Sequence, residues 1–169
     1  MKQESIVSTG KPDPARPVRV LFVCTGNSAR SIFAESHLRR LGGDEFEVFS
    51  AGTEPRGVNP LTIAILRDAG YPTEGLASKS VNEFLGEQFD YVVTVCDNAR
   101  ESCPVFPGAR ESLHWGYDDP AAVQGSDEER REAFRRTFLA MGERISQFAT
   151  LVRRERREMR KAAGSAARS

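Results

Sequence analysis

Cys24 heads the string Cys24-Thr25-Gly26-Asn27-Ser28-Ala29-Arg30-Ser31, a cysteine followed after five residues by arginine and then serine. A thiol and a guanidinium at this spacing suit one chemistry, attack on a tetrahedral oxyanion that the guanidinium holds. Arg30 would offer a planar fork to two oxygens, and Gly26 would let the backbone approach the anion closely. Where a strand hands over to a helix, amides of the loop and of the helix N-terminus converge on one cradle that favours such an anion. The same field favours a thiolate, because helix N-termini and nearby cations lower a thiol pKa from its ordinary value of about 8.5. Ser31 could give a hydrogen bond to the sulfur, and Asn27 could brace the loop. Thr25, Gly26, Asn27, Ser28, Ala29, Arg30 and Ser31 are therefore the expected substrate-binding residues. A buried structural cysteine beside an arginine paired elsewhere would produce the same letters, so the placement of the string decides its meaning.

Two further cysteines, Cys96 and Cys103, enclose the polar segment Asp97-Asn98-Ala99-Arg100-Glu101-Ser102. Zinc sites prefer two to four residues between paired cysteines. The only histidines, His37 and His114, lack zinc-like spacing, so no metal is expected. A polar segment of this length could bend until the two Cα atoms approach within about 7 Å, as a disulfide demands. A core cysteine at a strand end plus an incidental loop cysteine fits the residues equally well. Asp118 and Asp119 precede Pro120, where an aspartate can shape a turn or deliver a proton.

The elements that would position these groups are visible as patterns. Residues 18–23 form a short β-branched apolar run, as a buried strand does. Ile32, Phe33, Ala34, His37, Leu38 and Leu41 then share one helical face, ended by Gly42-Gly43. A second strand is expected over residues 45–50, and Pro60 opens a short helix stopped by Gly70. Residues 90–96 read as the third strand and residues 113–115 as a shorter fourth. Ser126-Asp127-Glu128-Glu129 looks like a capping box for a long helix carrying Phe134, Phe138, Met141, Ile145, Phe148 and Val152 at helical spacing. Strands separated by helices predict an α/β fold, a four-stranded parallel sheet with helices on both faces. Sites in such sheets lie beyond the carboxyl ends of the strands. Cys24, Cys96 and Asp119 should therefore share one rim, although they are far apart in sequence.

The chain has 169 residues with 24 basic and 24 acidic side chains, and 39% of its residues are apolar. This length and balance suit one globular domain and exclude a disulfide scaffold or a chain disordered throughout. Zero net charge gives no electrostatic reason to expect nucleic acid. No apolar run approaches the ~20 residues of a membrane span, and no secretory signal is visible, so a cytoplasmic protein with reduced thiols is expected. Residues 1–16 read as a flexible arm, 17–152 as the catalytic domain, and 153–169 as a basic helix end and tail. Trp115 and Phe134 belong in the core, and His37 reads as a satisfied, partly buried histidine.

The string CTGNSARS after VRVLFV resembles the low-molecular-weight tyrosine phosphatase superfamily, and within it the thioredoxin-coupled arsenate reductases. The resemblance runs over roughly residues 18–150, through FSAGTEPRGVNP, YVVTVCDNARESCP and HWGYDDPA. It implies the flavodoxin-like phosphatase topology, arsenate as substrate with phosphate or sulfate as mimics, and thioredoxin as electron donor with no bound cofactor. It assigns Cys24 as nucleophile, Arg30 as anion clamp and Asp119 as general acid. It also implies a relay in which a Cys24–Cys96 disulfide gives way to a Cys96–Cys103 disulfide. Ala29 stands where some relatives carry another cysteine outside the relay. Some relatives hold potassium; Asn27 and Ser50 match that site, but Ala77 and Lys79 replace oxygen ligands, so bound potassium is not expected. The alternative activity is phosphate-monoester hydrolysis through a Cys24 phosphoenzyme. Ala121 and Ala122 after Pro120 supply no aromatic wall for a phenyl ring. A non-catalytic oxyanion-binding or redox-sensing module is a third possibility.

Overall fold

The structure is a computed structural model that describes residues 13–168. Its four strands are β1 (Val18–Cys24), β2 (Phe46–Gly52), β3 (Tyr91–Thr94) and β4 (Glu111–His114), all parallel in the order β2-β1-β3-β4. The helices are α1 (Arg30–Gly42), α2 (Pro60–Asp68), α3 (Asp97–Ser102) and α4 (Asp127–Ala166). This is the expected α/β sheet. β1 has neighbours on both sides and helices around it, which is why its sequence runs apolar rather than alternating.

Several boundaries differ from the sequence reading: β2 runs on to Gly52 rather than ending at Ser50, and β4 spans Glu111–His114 rather than residues 113–115, leaving Trp115 just beyond it. The third strand stops at Thr94, and Cys96 is instead the N-cap of α3, its sulfur accepting the amide of Ala99 at 3.4 Å. The helix over residues 97–102 departs from the sequence reading, because five polar residues around the lone Ala99 carry no apolar periodicity. The capping box at Ser126 is only half formed. Ser126 Oγ accepts the Glu129 amide at 3.1 Å, but Glu129 takes the Ser126 hydroxyl proton rather than its backbone N–H.

The apolar positions anticipated on α4, from Phe134 to Val152, are all buried, as is Trp115, which packs between Phe22 and Phe148. The next positions of that stripe turn polar. Arg156 is only 9% exposed and donates to the carbonyls of Pro14, Arg16 and Glu45. Arg153 pairs with Glu45 at 2.8 Å, and Arg160 reaches Pro14 O. Residues 153–166 thus continue α4 and dock onto the segment entering β1. Of the flexible arm expected over 1–16, residues 1–12 lie outside the described residues, whereas Arg16 is bonded to Asp90 at 2.8 Å. His37 bridges Phe138 O (2.8 Å) and the Tyr71 hydroxyl (2.9 Å), and burial pushes its pKa down, so the imidazole serves as a neutral core brace.

Candidate active site

The loop from Cys24 to Arg30 connects β1 to α1 and turns its carbonyls outward. Thr53, Glu54, Arg56 and Asn59, all following β2, donate their amides to the carbonyls of Cys24, Thr25, Gly26 and Ser28 at 2.9 to 3.1 Å. Ser78 and Thr62 add hydroxyl donors to Gly26 O and Ser28 O. The carbonyls are thus taken up by neighbouring segments, and the Asn27 amide is directed at the Cys24 sulfur. The N-cap of α1 is Ala29, which caps nothing with its side chain, and the first helical turn holds no acidic residue. The positive end of a thirteen-residue helix is therefore neither capped nor neutralised by its own side chains, as an anion site requires.

Close approach makes this loop possible. A Cβ on Gly52 would lie 2.6 Å from Thr25 O and 3.0 Å from Asn27 N. We expect Gly52→Ala to push the loop outward and slow ester hydrolysis about a hundredfold, the usual penalty for roughly 1 Å of misplacement. Parallel measurement of phosphate binding and thermal unfolding checks this, and an unchanged affinity for phosphate would contradict it.

Asn27 holds the loop's shape. Its backbone is left-handed (φ 46°), a conformation asparagine tolerates better than most side chains. Its side-chain amide donates to Ser31 Oγ (2.8 Å) and Ser50 Oγ (3.0 Å), and its oxygen accepts the Lys79 amide (2.8 Å). Ser31 Oγ, already accepting from Asn27, lies 2.9 Å from Cys24 Sγ and so directs its proton at the sulfur. The Asn27 amide N–H reaches the same sulfur at 3.2 Å. Cys24 is 2% exposed at the base of the cradle, with two donors that stabilise charge on its sulfur. The surroundings of Asn27 do not fit a potassium ion. Ser50 gives its proton to Glu35, the Glu35 charge is answered by Arg39 at 3.0 Å, and Lys79 turns its ammonium to Ala77 O.

Arg30 leans toward the loop after β4, donating to Tyr117 O at 3.0 Å and lying 3.8 Å from Asp119 Oδ2. Asp119 also caps the short turn Pro120–Ala122 through the Ala121 amide, whereas Asp118 is exposed. The second thiol comes to the same rim. Cys96 Sγ is 3.3 Å from the hydroxyl of Thr25, the residue next to Cys24, and Cys96 is 3% exposed. Cys103 lies at the other end of α3, half-buried, with its amide on Ala99 O. All three cysteines are free thiols. Burial pushes the Cys103 thiol up to about 11.

Sequence reasoning missed the clasp around α3. Asp97 Oδ1 meets His114 Nε2 at 2.8 Å, His114 Nδ1 meets Thr94 Oγ1 at 2.8 Å, and Asn98 donates to Thr25 Oγ1 at 3.1 Å. No local pattern announces contacts between residues so distant in sequence. Gly52 was detectable in principle, because glycine at a strand end often marks close backbone approach. Among the described residues, no group of three or more His, Cys, Asp or Glu could hold a metal ion, and no helix is long and apolar enough to cross a membrane.

Comparison with known proteins agrees with this geometry. The low molecular weight phosphotyrosine protein phosphatase family matches residues 19–158. An arsenate reductase of Halalkalibacterium halodurans is 42% identical over 130 residues, spanning 77% of this chain and 94% of its own. A solved arsenate reductase in a phosphate-bound state superposes with a TM-score of 0.67 at 28% identity, covering 78% of this chain and 95% of that one. A thioredoxin-dependent arsenate reductase of Corynebacterium glutamicum gives 0.56 at 29% identity, over 79% of this chain and 64% of that one. The chain belongs to the low molecular weight phosphotyrosine protein phosphatase family, among its arsenate reductase members.

Proposed function

We propose that the protein reduces arsenate to arsenite by a three-thiol relay that thioredoxin regenerates. The supporting observation is that Cys24 and Cys96 meet on one rim through Thr25, while Cys103 sits one short helix away. Arsenate lies on the loop amides and Arg30. The Cys24 thiolate attacks arsenic, and Asp119 protonates the departing hydroxide, which leaves as water. The Cys96 thiolate then attacks the Cys24 sulfur. A sulfur–sulfur bond forms and the sulfur–arsenic bond breaks, its electron pair staying on arsenic, which falls from the +5 to the +3 state and leaves as arsenite. Cys103 attacks Cys96, frees the Cys24 thiolate, and leaves a Cys96–Cys103 disulfide. The dithiol of thioredoxin reduces that bond by exchange, a chemistry that belongs in the reducing cytoplasm.

The state of Cys103 orders these steps. A thiol near 11 is a poor nucleophile at neutral pH while α3 stays closed. Bonding of Cys96 to Cys24 draws away the sulfur that caps a helix of only six residues, too short to persist alone. Exposure then returns Cys103 toward the ordinary thiol value and raises its thiolate fraction by at least about a hundredfold.

A coupled assay separates this from phosphatase action. We expect arsenate-dependent NADPH oxidation with thioredoxin and thioredoxin reductase, far outpacing hydrolysis of p-nitrophenyl phosphate. Hydrolysis of the ester without arsenate-dependent NADPH oxidation would reverse the assignment in favour of a phosphatase.

A further inference from the structure

Each of the two buried sulfurs on the rim is held by the same set of donors. Cys24 Sγ receives an amide N–H from three residues along the chain, Asn27, and faces the hydroxyl of Ser31. Cys96 Sγ receives an amide from three residues along, Ala99, and faces the hydroxyl of Thr25. In the first set the Asn27 carboxamide donates to the Ser31 oxygen, which leaves the serine proton for sulfur. In the second set Asn98 Nδ2 donates to Thr25 Oγ1 at 3.1 Å.

We propose that Asn98 is a positioning residue for the second thiol: by filling the acceptor side of Thr25, it turns the Thr25 proton toward Cys96 Sγ. The inference rests on the relay proposed above. A hydroxyl donates one proton, so the partner on its oxygen decides where that proton goes. With Asn98 as donor, Thr25 stabilises the charge that Cys96 must carry to attack the Cys24 sulfur. Thr25 is 8% exposed and Cys96 3% exposed, so water competes little for this bond. Asn98 itself is exposed and marks the outer end of the chain of bonds. The same bond ties the first turn of α3 to the oxyanion loop, so it must break when α3 opens.

Asn98→Asp reverses the donor. A carboxylate only accepts, so Thr25 would give its proton to residue 98 and withhold it from sulfur. The step is isolated in a Cys103→Ser background, with enzyme in excess over arsenate and arsenite measured after quenching across pH 5 to 9. Asp97, Arg100 and Glu101 on α3, Cys24 on β1 and His114 on β4 are the same in all variants. We expect Asn98→Asp to slow arsenite release about tenfold at pH 7 and to move the acid limb of the profile up by about one unit. Asn98→Ala, which removes the donor without adding charge, should slow release about threefold. In a Thr25→Val background both effects should vanish, because no hydroxyl remains to orient. An unchanged rate in Asn98→Asp overturns the proposal. So does a slowing that persists in full with Thr25→Val, since that would be the field of the new carboxylate alone. If the enzyme with Asn98 and Thr25 intact forms no arsenite, the relay itself fails and takes this role with it.

Discussion

Cys24→Ser should abolish arsenite formation and ester hydrolysis together, each by about 10⁴-fold or more, the scale seen when a nucleophile is removed. In the proposed mechanism both reactions begin with attack by the same sulfur, which sits 2.9 Å from Ser31 Oγ and 3.2 Å from the Asn27 amide. A serine hydroxyl ionises far above neutral pH, and two hydrogen bonds cannot make up that difference. The cradle should nevertheless survive, because its carbonyls are pinned from the segment after β2 and its helix terminus is unchanged. Phosphate binding by calorimetry should stay within about threefold of the unsubstituted protein, since charge-assisted donors to the anion are all retained. Loss of both binding and chemistry would mean that Cys24 shapes the loop rather than attacks from it.

Removal of either later thiol should separate turnover from attack. Cys103→Ser leaves Cys24 and Cys96 intact, so one arsenite should appear per enzyme before the reaction stops at the Cys24–Cys96 disulfide. Steady-state reduction with thioredoxin should then fall by at least about a hundredfold, because both sulfurs of the remaining disulfide belong to residues buried at the rim, Cys24 at 2% and Cys96 at 3% exposure, and offer a partner thiol little access. Cys96→Ser should release no arsenite, since no second sulfur lies within reach of the Cys24 adduct. On the proposed assignment ester hydrolysis draws on Cys24, Arg30 and Asp119 alone, so it should persist in both variants. Quantifying arsenite against enzyme in a rapid-quench experiment checks the stoichiometry. Sustained turnover in Cys103→Ser would show that thioredoxin reaches the first disulfide directly and that Cys103 is incidental.

Much of this was legible in the residues. The apolar run of β1 and the break at Thr25-Gly26 placed Cys24 at a strand end. The parallel topology carried Cys96 and Asp119 to the same rim, and the 3.8 Å approach of Arg30 to Asp119 agrees with that placement. What could not be read was everything decided by tertiary contact. The six residues of α3 bury one apolar side chain, Ala99, and carry no apolar periodicity, so the helix depends on contacts the sequence does not announce, the sulfur cap of Cys96 and the clasp of Asp97 and Asn98. Likewise, the basic run after Arg153 looks like a solvated helix end until Glu45 and the carbonyls of Pro14 and Arg16 come into contact with it. Charge and periodicity record what a residue can do locally, and they are silent about partners supplied by distant segments.

The most direct test maps the disulfides. The protein is fully reduced, exposed to arsenate without thioredoxin, quenched in acid and digested, and its peptides are weighed. The relay predicts a Cys96–Cys103 bridge with Cys24 free, and a Cys24–Cys96 bridge when Cys103 is serine. Arsenite produced while Cys96 and Cys103 both remain thiols would contradict it.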